Sequence, residues 1–287
     1  MTVLVTGAQG QLGQELNQLA HSYPEISFKF YTKSDWDILD AKKSYTILSE
    51  SKADFIINTA AYTKVDQAET NPEICNRINF EAPKILAAYC TELNIKFIQI
   101  SSDYVFSSTE HIPFVETFPK NPQGVYAISK SMAEDQIMSA SSDNIIFRTS
   151  WLYSSFGHNF VKTIIRLAKS GEVIRVVNDQ MGAPTYAADL AKLIIECIQA
   201  PPNKITGIYH YCNEGLCSWY DFAKEIVSYS KLEVSLQAIS TKEFGALAPR
   251  PAFSQLNCSK IKKDMQCEIP HWKTSLHTCL DKLAESV

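Results

Sequence analysis

Tyr126 and Lys130 stand four residues apart in Tyr126-Ala-Ile-Ser-Lys130, a stretch of helical character. Residues at that spacing share one face of a helix, so a phenol and an ammonium point the same way. An ammonium beside a phenol favours the phenolate, so the pair predicts a Tyr126 pKa drawn below its usual value of about 10, toward that of a working proton donor. Upstream, Phe97-Ile-Gln-Ile-Ser101-Ser102-Asp103 brings hydroxyls to the end of an apolar run, and Ser102 is the candidate to polarise a carbonyl oxygen. A third element, Thr6-Gly7-Ala-Gln-Gly10-Gln-Leu-Gly13, carries glycines at three-residue intervals. A tight strand-to-helix turn needs a φ that glycine adopts without strain. A side chain at the second glycine blocks an approaching pyrophosphate, and the third glycine lets helix and strand close up. The three elements together describe a nicotinamide dinucleotide seated on the glycine turn, hydride delivered to a carbonyl carbon, and a proton supplied as the carbonyl oxygen gains charge.

Such residues need a scaffold, and the chain alternates short apolar runs with segments of helical period. Val3–Val5, Phe28–Tyr31, Asp54–Asn58, Lys96–Ile100 and Asn144–Arg148 read as strands. Between them, 13–21, 42–50, 79–90 and 126–139 read as helices. This alternation predicts a doubly wound α/β Rossmann fold, a parallel sheet covered on both faces, with the glycine turn at the end of its first strand. After about residue 150 the pattern loosens into short strands and more proline and glycine. We expect a dinucleotide-binding domain over 1–150 and a smaller, interleaved substrate-binding lobe over 151–174 and 214–287. Residues 175–213, with a helical run 187–199 and a strand-like 207–212, are expected to return to the main sheet.

Composition narrows the partners. The 287 residues carry 31 acidic and 27 basic side chains, a net charge of −4, mixed along the chain. No basic stripe of the kind nucleic acid requires is present, and no apolar run reaches the roughly 18 residues of a membrane span. The expectation is a cytoplasmic protein with a small-molecule substrate. Eight cysteines show no C-x-x-C pair and six histidines no H-E-x-x-H pair, so reduced thiols and no transition-metal site are expected. At the end of the second strand, Tyr31-Thr-Lys33-Ser-Asp35 offers both chemistries of cofactor choice. Lys33 suits the 2′-phosphate of NADPH, while Asp35 or Asp37 suits the ribose hydroxyls of NADH.

With these elements assembled, the sequence resembles the extended short-chain dehydrogenases and, within them, the dTDP-4-dehydrorhamnose reductases. The resemblance runs nearly end to end. It rests on Asn58-Thr-Ala-Ala-Tyr-Thr63 with Val65-Asp66, on Ser102-Asp-Tyr-Val-Phe106, on Phe147-Arg-Thr-Ser-Trp151-Leu-Tyr153, on Asp179-Gln-Met-Gly-Ala-Pro-Thr185, and on Arg250-Pro251 with Ser254 and Leu256. It implies reduction of dTDP-4-dehydro-L-rhamnose to dTDP-L-rhamnose, an activated sugar for cell-surface polysaccharide. Tyr126 is then the proton donor, and Lys130 holds the nicotinamide ribose. Gly10, Gln11 and Leu12 meet the pyrophosphate, Asp37 and Ile38 flank the adenine, and Ala61, Tyr62 and Thr63 run along the cofactor. Ser102 and Asp103 lie near the sugar, Trp151 forms an aromatic wall for it, and Arg250 meets the diphosphate. The chain departs from the family where Ser102 replaces a common threonine and Ala127 a frequent glycine.

Some members of this family dimerise around magnesium. Glu15 matches one of the acidic positions involved, whereas Asp189 and Asp281 stand where glutamate is expected and reach less far, so Glu15 is the one metal candidate and a homodimer stays open. The same fold and tyrosine–lysine pair would serve another nucleotide 4-keto-6-deoxysugar, and relatives also exist as dinucleotide-binding regulatory subunits. Retention of Tyr126, Lys130 and Ser102 favours the enzyme.

Overall fold

The computed structural model describes residues 1–201 and 203–285. Along the first half run β1 (Thr2–Thr6), α1 (Gln11–Ala20), β2 (Ser27–Tyr31), α2 (Ala41–Ser51) and β3 (Phe55–Asn58). Then come two short helices, α3 (Val65–Thr70) and α4 (Pro72–Asn76), followed by α5 (Ala82–Glu92), β4 (Lys96–Ser102), α6 (Gly124–Ala140) and β5 (Ile145–Thr149). The second half contains β6 (Leu152–Tyr153), α7 (Phe160–Ala168), β7 (Ile174–Val177), β8 (Met181–Gly182), β9 (Thr185–Tyr186), α8 (Ala187–Gln199) and β10 (Gly207–His210). It closes with β11 (Cys217–Ser218), α9 (Trp219–Tyr229), β12 (Leu236–Ile239), α10 (Thr241–Phe244), α11 (Ser259–Met265) and α12 (Trp272–Glu285).

Six strands form one sheet in the order β10-β5-β4-β3-β1-β2, and every pairing is parallel. The chain leaves β1 toward β2 on one side and returns through β3 on the other. The sheet therefore has a topological switch point between β1 and β3, where open α/β sheets leave a crevice at the strands' carboxyl ends. Val3, Val5, Ile57, Ile98 and Phe147 pack into an apolar cluster on one face, and Leu4, Ile56, Phe97 and Ile146 into another on the opposite face. Alternate side chains of each strand thus serve opposite layers, and burial on both sides explains why these strands read as continuous apolar runs.

A third cluster, centred on Tyr153, Val161, Tyr186, Phe222, Trp272 and Leu276, forms the core of the second packed region. Its strands come in pairs: β6 with β9, β7 with β12, and β8 with β11. The return to the main sheet begins later than residue 175. β7 pairs with β12 in the second region, whereas α8 packs on α1 and β10 extends the sheet beside β5. A further return appears at Phe253, Leu256, Ile261 and Ile269, which pack into the main cluster although they fall within 214–287. The last two positions of that span, 286 and 287, lie outside the described residues.

Local chemistry sets the helix starts that matter here. Asn159 caps α7 by accepting from the Lys162 N–H at 3.1 Å. The helix bearing Tyr126 and Lys130 has no side-chain cap of its own at Gln123. Glu69 supplies one from α3, its carboxylate accepting the Val125 N–H at 2.8 Å. Among the described residues no helix is long and apolar enough to cross a membrane.

Candidate active site

One cleft of about 530 Å³ runs across the switch point. Its walls include Gly7, Gly10, Gln11 and Leu12 from the turn after β1, and Lys33, Asp37 and Ile38 after β2. Ala61 and Thr63 follow β3, Ser102 and Asp103 end β4, Tyr126 and Lys130 come from α6, and Trp151 follows β5. Tyr62, Gly13 and Arg250 stand outside these walls. Tyr62 exchanges main-chain hydrogen bonds with the Asn79 side chain at 2.8 and 3.0 Å, which fixes the Ala61–Thr63 segment from behind.

At the glycine turn the geometry is steric. Gly7 has φ +69°, and a Cβ there would sit 2.6 Å from the Ala60 nitrogen. A Cβ on Gly13 would sit 2.5 Å from the Gly7 carbonyl oxygen. Gly10 is different: only the Gly7 oxygen, at 3.1 Å, would meet a Cβ there, so its outer face is open to the cleft at the start of α1. A helix N-terminus with an open glycine beside it fits a pyrophosphate, and this cradle fits a dinucleotide.

At the other end the walls are buried polar side chains. Ser102 donates to Asp103 Oδ1 at 3.0 Å, accepts the Tyr104 N–H at 3.2 Å, and is a hydrogen-bonding neighbour of the Tyr126 hydroxyl. Burial pushes Tyr126 above the ordinary phenol pKa, only partly offset by Ser102. This corrects the expectation of a lowered value. The Lys130 ammonium makes its hydrogen bond to the Ile100 carbonyl at 2.8 Å, not to the phenol, and without that contact desolvation dominates. Burial also draws Lys130 down to about 8, with Glu134 acting in the opposite sense. Asp103 is pushed up to about 6 by burial, opposed by Ser254 and Ser102, and its Oδ2 has no hydrogen bond. A buried carboxylate oxygen without a donor, lining a cleft, fits a ligand hydroxyl.

Trp151 adopts φ +45° and stacks on Trp219 with centroids 3.7 Å apart and planes at 10°. Gly182 makes room for it, since a Cβ there would meet the Trp151 ring at 2.9 Å. Trp151 is thus both anchored in the second region and exposed to the cleft. Arg250 pairs with Asp66 at 2.7 Å and donates to the Tyr104 hydroxyl at 3.2 Å, and its Nε has no partner. It borders a smaller cavity of about 50 Å³ with Tyr104 and Gln123, because the Asp66 carboxylate holds the guanidinium beside α3.

Glu15 is buried rather than on a helix surface. It accepts from the Ser154 hydroxyl at 2.6 Å, and burial raises its pKa. Asp189 is engaged by Asn213 and Ser275, and Asp281 by the Tyr229 hydroxyl. Among the described residues no three acidic, histidine or cysteine side chains are grouped to hold a metal ion.

Behind the site lies a network that sequence reading missed. Arg148 on β5 makes a two-pronged pair with Glu134 on α6, at 2.9 and 2.7 Å, both side chains being at most 2% exposed. The Ser101 hydroxyl donates to the same carboxylate at 2.6 Å. Glu134 therefore locks the strand carrying Ser102 to the helix carrying Tyr126 and Lys130. Its position four residues after Lys130 was the available signal. Gln9, Trp36, Thr59, Thr149, Gly157 and His158 also line the cleft without having been singled out.

The family model described as "RmlD substrate binding domain" matches residues 1–285. The spore coat polysaccharide biosynthesis protein SpsK of Bacillus subtilis is 38% identical over 281 residues, covering 98% of this chain and 97% of that protein. A dTDP-4-dehydrorhamnose reductase of Aggregatibacter actinomycetemcomitans is 36% identical, covering 96% of each. Among solved structures, the dTDP-4-dehydrorhamnose reductase of Bacillus anthracis in complex with NADP superposes with a TM-score of 0.94 at 36% identity, over 98% of this chain and 99% of that one.

Proposed function

The chain belongs to the dTDP-4-dehydrorhamnose reductase family, and from that premise we propose that it reduces the 4-keto group of dTDP-4-dehydro-L-rhamnose with Tyr126 as proton donor and NADPH as preferred cofactor. It is an NAD(P)-dependent oxidoreductase of nucleotide-sugar biosynthesis. The observation that carries the reading is the continuity of one cleft from the open Gly10 cradle to the Tyr126, Ser102 and Asp103 cluster.

Gly7, Gly10, Gln11, Leu12 and Gly13 form the pyrophosphate turn. Asp37 and Ile38 face the adenine side, and Ala61, Tyr62 and Thr63 support the middle of the dinucleotide. The exposed Lys33, which lines the cleft after β2 and lies 4.0 Å from Asp37, would offer a cation to a 2′-phosphate, and this supports NADPH. A bound nicotinamide supplies the hydride that reaches the carbonyl carbon. As that carbon gains hydrogen, the Ser102 hydroxyl stabilises the oxygen by hydrogen bonding, and the Tyr126 hydroxyl transfers its proton, giving an alcohol. A phenol raised by burial keeps its proton through the neutral range, the state from which a donor must start. Lys130, held to Ile100, orients toward the nicotinamide ribose and stays largely charged below about 8.

Asp103 Oδ2 accepts a sugar hydroxyl, and Trp151 lies along the apolar face of the deoxysugar. Arg250 takes the substrate diphosphate by exchanging its Asp66 partner for phosphate oxygens. The test is consumption of NADPH and NADH, separately, on addition of dTDP-4-dehydro-L-rhamnose. Faster turnover with NADPH supports the whole reading. Consumption with a different 4-keto-6-deoxysugar nucleotide alone would move the substrate assignment and leave the chemistry intact.

A further inference from the structure

We propose that the loop between β6 and α7 closes the outer side of the dinucleotide site, and that the His158 imidazole donates a hydrogen bond to the pyrophosphate lying on the glycine turn. The inference rests on the reading that the cleft holds a dinucleotide, and it adds a contact from the second packed region to a site otherwise built from the first.

The loop is pinned to the first turn of α1. Asn159 Nδ2 donates to Gln11 Oε1 at 2.9 Å and to the Ser154 carbonyl at 2.7 Å. The Gln11 amide returns a long hydrogen bond to the Leu152 carbonyl at 3.5 Å. Gly157 turns at φ +64°, where a Cβ would press on Gln11 Cγ at 3.1 Å, so a glycine allows the close approach. This anchoring sets Gly157 and His158 in the cleft wall beside Gln11, next to the open face of Gly10.

Charge supplies the second argument. Among the described residues, the basic side chains lining the cleft are Lys33, Lys130 and His158, and His158 alone of the three follows directly on the loop glycine packed against Gln11. Main-chain N–H groups at the start of α1 serve part of the pyrophosphate, and a side-chain donor from the adjoining loop completes its coordination. The His158 side chain is exposed and makes no hydrogen bond with the described residues, so it is free to take this one.

The test titrates wild type and His158→Ala with NADPH and with NADH, reading nicotinamide fluorescence, without any sugar. The proposal predicts a dissociation constant raised about tenfold for both dinucleotides alike, with an unchanged melting temperature. His158→Gln, which keeps a donor, recovers part of the loss. A loss confined to NADPH would place His158 at the 2′-phosphate and overturn the proposal, as would unchanged affinity for both. If wild type binds neither dinucleotide, the cofactor reading itself falls and this inference with it. An unaffected variant of a wild type that binds removes this inference alone.

Discussion

At the glycine turn the cleft wall is main chain, and what the residues contribute is the absence of side chains: Gly7 and Gly13 touch neighbouring backbone, and Gly10 leaves a gap. At the far end the wall is made of titratable side chains, Lys130 and Asp103 buried and Tyr126 half-buried, and desolvation displaces the pKa values of all three. The first end selects by shape and tolerates almost no added volume. The second works by electrostatics among desolvated groups, and behind it the Glu134–Arg148 pair ties the helix of Tyr126 and Lys130 to the sheet. Substitutions should therefore fail differently at the two ends.

The largest effect is expected at Gly7→Ala. Left-handed φ and a Cβ at 2.6 Å from a backbone nitrogen add strain to overpacking, roughly 4 kcal/mol in all. A melting curve and a dinucleotide titration should both show the loss; a stable variant with full affinity would mean that the turn is not shape-limited. Next comes Glu134→Gln, which leaves the Arg148 charge buried without its counterion and costs about 3 kcal/mol in urea unfolding. Because Glu134 also raises the Lys130 pKa, its loss should shift the basic limb of the kcat profile to lower pH. A purely structural role would leave that limb in place.

Asp103→Asn should act with the opposite sign. Its folded pKa of about 6 lies above the unfolded value of about 4, so between these the folded state binds more protons. Its contribution to stability is then greatest below about pH 4 and is lost as pH rises through 6. At pH 7 the neutral asparagine is expected to stabilise the protein by about 2 kcal/mol while raising the KM for the sugar. A destabilised variant with an unchanged KM would contradict the picture of a strained carboxylate waiting for a hydroxyl. The smallest effect belongs to the exposed Lys33: Lys33→Ala should weaken NADPH several-fold and leave NADH unchanged, measured as the ratio of their dissociation constants.

The two ends also differed in how much of them the sequence disclosed. Glycine spacing reports backbone conformation directly, so Gly7, Gly10 and Gly13 and the parallel alternation around them were legible as local pattern. The Tyr126 to Lys130 spacing correctly put two side chains on one helix face, yet not their electrostatics, because the Ile100 carbonyl that accepts the Lys130 hydrogen bond and the desolvation that raises Tyr126 are tertiary facts. The spacing from Lys130 marked the face of Glu134 but not its pairing with Arg148 and Ser101, because the three come from three elements. The Arg250 pairing with Asp66 spans 184 positions of sequence. In the second half, the sequence assigned the whole of 175–213 to the main sheet, whereas β7 pairs with β12, which lies beyond α8, β10 and α9 and could not be matched to it by local pattern.

The central claim is that Tyr126 delivers the proton at the catalytic end while the other end binds the cofactor independently. Turnover of NADPH with dTDP-4-dehydro-L-rhamnose by Tyr126→Phe, alongside a dinucleotide titration of the same variant, tests it most directly. The account predicts kcat lower by about 10²-fold or more with a nearly unchanged dissociation constant for NADPH. Wild-type turnover by Tyr126→Phe would contradict it.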